Sequence, residues 1–171
     1  MDRMSSIEMA LLNEKTEKAF YENESRRSRN PLAKAMFQNL ARDEEEHLTR
    51  IRKLHERLVR DGAWPVDVPI EIAGTRIRET LLDVARKSGP DTDHDDDDRR
   101  AVTKAIAFEE KGEIFYRALS VSCDNPAEKR FFTFLSGIER EHRLSLADTL
   151  QYFEDPAGWL EAHEKIILDG A

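Results

Sequence analysis

The chain has a single cysteine, Cys123, among 171 residues. That excludes an intramolecular disulfide framework and any Cys-x-x-Cys metal knuckle. Glycine and proline are also sparse, at 7 and 6, which disfavours a fold of many short strands and tight turns. No apolar run approaches the roughly 20 residues of a membrane span. The opening Met1-Asp2-Arg3-Met4-Ser5-Ser6 carries no apolar signal core. An excess of positive charge is missing too, since the formal net charge is −8. This argues against nucleic acid or an anionic membrane as the main partner. These absences predict a soluble protein in a reducing, cytoplasmic setting, with Cys123 as a small buried filler.

Charged residues make up 36% and hydrophobic residues 39%, a balance that suits long amphipathic helices in one domain over residues 1–171. Within it, one pattern occurs twice. The first copy is Glu14, Tyr21, Asn30-Pro31, Phe37 and Glu44-x-x-His47. The second is Glu109, Tyr116, Asn125-Pro126, Phe132 and Glu139-x-x-His142, 95 residues further on with every spacing kept. Without a gap, 12 of the 34 positions in 14–47 and 109–142 are identical. Ordinary composition would give roughly two, so the chain contains an internal duplication.

Each copy reads as a helical hairpin. Hairpin one spans about 5–60, with Ile7, Leu11, Leu12, Ala19 and Phe20 as the apolar positions of its first helix. Asn30 then Pro31 is an N-cap followed by proline at the first helical position. The second helix continues to Asp61-Gly62, where glycine can close it. Hairpin two spans about 98–153, turns at Asp124-Asn125-Pro126, and places Phe131, Phe134, Leu135, Ile138, Leu144 and Leu146 on its last apolar face. A short C-terminal helix at about 157–168 is anchored by Trp159. The crossover, about 61–97, carries an alternating stretch at 66–72 and a short helix through Ile77, Leu81, Leu82 and Ala85. The run Asp91–Asp98 lacks the glycine and the bidentate glutamate of a calcium loop. It reads as a solvated loop whose last aspartates favour the start of the next helix.

Residues three apart on a helix share a face, so Glu44 with His47 and Glu139 with His142 point together. Residues seven apart lie on one stripe, which aligns Glu14 with Tyr21 and Glu109 with Tyr116. With these faces inward, Glu14, Glu44, His47, Glu109, Glu139 and His142 converge. Four ionised carboxylates in a core cost several kcal/mol each, and two divalent cations would neutralise them. Oxygen and imidazole donors without thiolate suit iron or manganese, with zinc a frequent occupant after purification. Tyr21 and Tyr116 have two readings: core residues bonded to backbone, or donors to a ligand carboxylate. Phe37 and Phe132 read as core, and His55 and His163 as surface residues.

The two Glu…Tyr…Glu-x-x-His halves resemble the rubrerythrin and ferritin-like diiron-carboxylate family over both hairpins. The resemblance implies an all-α, ferritin-like four-helix bundle with a long crossover between the second and third helices. It also implies two iron ions per chain. Glu44 and Glu139 would bridge them, with Glu14 and His47 completing one site and Glu109 and His142 the other. Such proteins reduce hydrogen peroxide or dioxygen, or oxidise iron. Two departures stand out. The four-cysteine site of rubrerythrins proper is missing, so a separate electron donor, such as a rubredoxin-like protein, is required. The family's further carboxylate, three residues after the third-helix ligand, is here Gly112. Its counterpart in the first helix is Glu17, which reads either as an exposed helix glutamate or as a switching ligand. Other functions consistent with the residues are a metal buffer or sensor and a helical scaffold without chemistry. A homodimer is expected; Trp64 and the 66–72 stretch offer apolar surface, but the sequence does not show the interface.

Overall fold

The computed structural model of the chain describes residues 3–65, 75–88 and 96–168. Its elements are α1 (Arg3–Arg27), α2 (Pro31–Asp61), α3 (Ile77–Ser88), α4 (Asp96–Ser122), α5 (Pro126–Glu154) and α6 (Pro156–Leu168). The described residues contain no strand. The arrangement is that of a ferritin-like helical bundle. The alternating 66–72 stretch, and the Asp91–Asp98 run before Asp96, lie outside the described residues.

The helix ends follow from local chemistry. Asn30 sits in an extended conformation, and its side chain accepts from the Ala33 amide at 3.0 Å. Asn125 repeats this, accepting from Ala127 at 2.9 Å and Glu128 at 3.2 Å. Proline follows each cap, where its missing N–H costs nothing. α2 ends on Gly62, whose φ of 66° is the left-handed conformation that glycine adopts without strain. Between α5 and α6, Asp155 serves both helices. Its N–H donates to the Gln151 carbonyl at 2.9 Å, and its carboxylate accepts from Gly158 at 3.0 Å.

α1 packs along α2 and α4 along α5, giving two hairpins, while α3 touches α2, α5 and α6. The apolar core is in two parts. One, around Tyr21, Met36, Phe37, Leu40, Val102, Leu146 and Phe153, is covered by Ile77 and Leu81 of α3 and Trp159 of α6. The other gathers Ile7, Ile51, Leu54, Leu58, Tyr116, Phe131, Phe132 and Leu135. On all four long helices the buried glutamates and histidines lie between the two. Glu14 separates Ala10 from Tyr21, Glu44 and His47 separate Leu40 from Ile51, and Glu109 separates Ala105 from Tyr116. Glu139 and His142 separate Leu135 from Leu146. A polar layer thus crosses the bundle.

Several expectations are corrected. Leu12 and Leu144 are 58% and 50% exposed, and Ala19 is exposed as well. Leu12 and Leu144 each lie two residues from an inward residue, Glu14 or His142, which is about 200° around the helix. Trp64 is only 5% exposed and packs on Phe131 and Phe132, with centroids at 5.7 and 6.0 Å. It therefore offers no free apolar surface for a dimer. His163 stacks on Trp159 at 4.0 Å and approaches the Trp159 carbonyl through Nδ1 at 2.8 Å, so it packs α6 instead of standing in solvent. His55 is half-buried, 4.0 Å from Glu8. Cys123 is half-buried against the second cluster.

Candidate metal centre

The four helices bring together Glu14 and Glu17 from α1, Glu44 and His47 from α2, Glu109 from α4, and Glu139 and His142 from α5. All seven are buried. Ligand-capable atoms fall into three groups, each within 4.8 Å: Glu14, Glu44, His47 and Glu139; Glu44, Glu109 and His142; and Glu17, Glu109 and Glu139. Glu44 and Glu139 each belong to two groups, as does Glu109. The rings of His47 and His142 face one another, centroids 5.7 Å apart and 21° from parallel.

In both imidazoles Nδ1 is turned to the carboxylates. His47 Nδ1 lies 2.9 Å from Glu14 and 2.8 Å from Glu44. His142 Nδ1 lies 3.4 Å from both Glu44 and Glu109, without hydrogen-bond alignment. Its other nitrogen faces Asp43 Oδ2 at 3.4 Å, likewise without hydrogen-bond alignment. A carboxylate behind a ligating histidine orients the ring and raises its basicity. The duplication gives no signal for Asp43, because the matching position is Ile138.

The tyrosines cross between hairpins. Tyr21 Oη donates to Glu109 Oε1, and Tyr116 Oη donates to Glu14 Oε1. Each ring stacks on the phenylalanine of its own hairpin, Tyr21 on Phe37 at 6.1 Å and Tyr116 on Phe132 at 6.3 Å. Burial, and then the adjacent glutamates, push both phenols well above the ordinary tyrosine range, so both remain donors.

Glu17 is 7% exposed, which removes the solvent-facing reading. Its counterpart, Gly112, lies against Glu139. A Cβ there would stand 3.2 Å from Glu139 Cγ and Cδ. The duplication therefore breaks where one half carries an additional buried carboxylate and the other leaves room for a ligand side chain.

Without metal, protons balance the layer. Burial, and then the Glu44 charge, raise Glu14 to about 7. Burial with Glu109 lifts Glu17 and Glu139 well above the usual carboxylate range. Burial opposes ionisation of Glu44 as well, but His47 and His142 outweigh it and hold that carboxyl far below its ordinary value. Burial also opposes charge on His47, yet Glu44 and Glu14 raise it to about 10. His142 is raised against burial by Glu109, Asp43 and Glu44.

The donor set fits divalent metal. Glu44 Oε1, Glu109 Oε2, His142 Nδ1 and both carboxylate oxygens of Glu139 are buried without a hydrogen-bond partner. Buried polar atoms left so are costly, and cations would satisfy them.

The fold and the layer together define a helical bundle with a buried Glu/His cluster able to hold metal. Residues 6–68 match the family model described as Rubrerythrin, consistent with a rubrerythrin or ferritin-like family member. The match covers the first hairpin, including Glu14, Glu17, Tyr21, Glu44 and His47. The second hairpin is tied to it by the duplication. No match was found among curated proteins or among solved structures.

Proposed function

We propose that the protein is a non-haem diiron-carboxylate oxidoreductase that reduces hydrogen peroxide or dioxygen. The observation that carries this reading is the buried layer of five glutamates and two histidines with unpartnered oxygens and nitrogens facing one another. Glu14, Glu44, His47, Glu109, Glu139 and His142 are the proposed ligands of two iron ions. By the resemblance, Glu44 and Glu139, each placed within reach of two ligand groups, would be the carboxylates shared between the ions.

Two ferrous ions held there would supply one electron each to the oxidant. The chain's own residues set the conditions. Tyr21 and Tyr116 fix the carboxylates of Glu109 and Glu14 by donating to them, so the ligands are oriented before metal arrives. Asp43, 3.4 Å behind the His142 ring, is placed to accept from Nε2 once the ring shifts onto metal. The two apolar clusters on either side keep water from the layer. Glu17 is proposed as a further ligand carboxylate, taking from the first hairpin the role that Gly112 leaves vacant in the second.

The test is rapid mixing of the anaerobic Fe(II)-loaded protein with peroxide or with dioxygen, followed by absorbance. Faster oxidation by peroxide makes it a peroxidase, and faster oxidation by dioxygen makes it a ferroxidase-type protein. Slow oxidation by both would leave iron buffering or sensing.

A further inference from the structure

The two hairpins bring matched ligands, so a strictly symmetric layer would bind its two cations alike. The layer is not symmetric. Resting on the dimetal reading, we infer that the corner of Glu109 and His142 takes the first cation, and that the corner of Glu14 and His47 fills only after it.

Three observations put the stronger site at the Glu109 corner. The first is which atoms are already engaged. Glu44, Glu109 and His142 offer atoms within 4.8 Å of one another. Glu44 Oε1, Glu109 Oε2 and His142 Nδ1 are all buried without a hydrogen-bond partner. At the other corner the matching atoms hold each other: His47 Nδ1 lies 2.9 Å from Glu14 Oε2 and 2.8 Å from Glu44 Oε2. A cation beside His142 satisfies buried atoms and breaks none of their hydrogen bonds. One beside His47 must first part that ring from two carboxylates.

The second observation is donor number. Glu17 gathers with Glu109 and Glu139, while its counterpart Gly112 brings no donor to Glu14. Affinity for a hard cation rises with the number of carboxylates offered to it.

The third is what stands behind each imidazole. Asp43 Oδ2 lies 3.4 Å from His142 Nε2. Ile138 occupies the matching position, and among the described residues the carboxylates against the His47 ring are Glu14 and Glu44 alone. A carboxylate behind a ligating histidine strengthens metal binding. The tyrosines do not discriminate, since Tyr21 holds Glu109 as Tyr116 holds Glu14. Both departures from the duplication thus favour the same corner.

The chain therefore loads in order. At one equivalent of Fe(II) most molecules carry one ion, in place of half of them carrying two. Two ferrous ions, giving one electron each, and two protons from solvent convert one hydrogen peroxide to two waters. The two-electron step thus becomes available only as the second corner fills.

Anaerobic calorimetry of Fe(II) binding tests the order. The native chain should show two resolved steps of one ion each. His142→Ala should lose the tight step, and His47→Ala should keep it and lose the weak one. Asp43→Asn and Glu17→Gln should each weaken the tight step roughly tenfold or more and leave the weak step within about threefold. Asp43→Asn alters one group of a side chain that is 24% exposed, so it carries the test if an alanine variant does not fold. Electron paramagnetic resonance gives a second reading: one equivalent of Mn(II) should show isolated ions, with the spin-coupled pair growing only beyond it. Two identical steps, a coupled pair already dominant at one equivalent, a tight step unmoved by both Asp43→Asn and Glu17→Gln, or a tight step lost in His47→Ala and kept in His142→Ala would overturn the order. Fewer than two ions bound by the native chain would instead overturn the dimetal reading.

Discussion

Gly112 gives Glu139 the space it occupies: a Cβ at 112 would stand 3.2 Å from both Glu139 Cγ and Cδ. Gly112→Ala should therefore displace a proposed shared carboxylate. The expected outcome is a helical, folded chain that binds Fe(II) at least tenfold more weakly, read by anaerobic titration. Unchanged affinity would show that Glu139 has freedom to shift.

Glu17 supplies a carboxyl that burial and Glu109 drive toward its neutral form. Glu17→Gln keeps the shape and removes the charge. The metal-free variant should be more stable at pH 8 by on the order of 1 kcal/mol, a rise of about 2–4 °C in thermal midpoint for a chain of this size. Its Fe(II) affinity should fall. Higher stability with full affinity would place Glu17 outside the metal ligands.

Tyr21→Phe and Tyr116→Phe each delete one buried hydroxyl from a carboxylate partner. Each should cost about 1–3 kcal/mol in urea unfolding of the metal-free chain. The double variant tests whether the two costs add, as they should if the hydrogen bonds are independent.

Metal-free stability should depend on pH with a definite sign. Glu14, Glu17 and Glu139 have raised values, so the folded state holds protons that the unfolded state releases. Their effect favours folding at low pH and is lost as pH rises from the ordinary carboxylate value through about 7 and beyond. His47, raised to about 10, adds stability that is full below its ordinary value and disappears toward pH 10. Glu44 acts oppositely, since its lowered value stabilises above the ordinary carboxylate range and is lost in acid. The metal-free thermal midpoint should therefore peak in weakly acidic buffer and decline through neutrality. Bound metal must displace the protons, so added Fe(II) should lower the pH as it binds and reverse the alkaline decline. A midpoint that rises steadily from pH 5 to 9 without metal contradicts this charge assignment.

Much of this was legible because a duplication exposes what must be kept together. Glu14, Glu44 and His47 recur as Glu109, Glu139 and His142 at fixed spacing, and the Asn-Pro caps recur with them. The illegible residues are those where the halves differ or where neighbours decide. Asp43 faces His142, but Ile138 stands at its matching position. Tyr21 shares a stripe with Glu14, yet on one helix they are about 10 Å apart. Only the packing of one hairpin on the other gives its hydroxyl to Glu109. Leu12 and Leu144 are apolar, yet they lie on the face opposite the ligand stripe. The burial of Trp64 depends on the fit of residues beyond α2 onto Phe131 and Phe132, which periodicity does not encode.

The central claim is a two-metal layer built from both hairpins. Its most direct test is the stoichiometry of anaerobic Fe(II) binding to the native chain and to Glu44→Ala/Glu139→Ala. Two irons per chain, lost in the double variant, is the predicted result. Weak binding in the native chain, or binding that survives removal of both shared carboxylates, would contradict it.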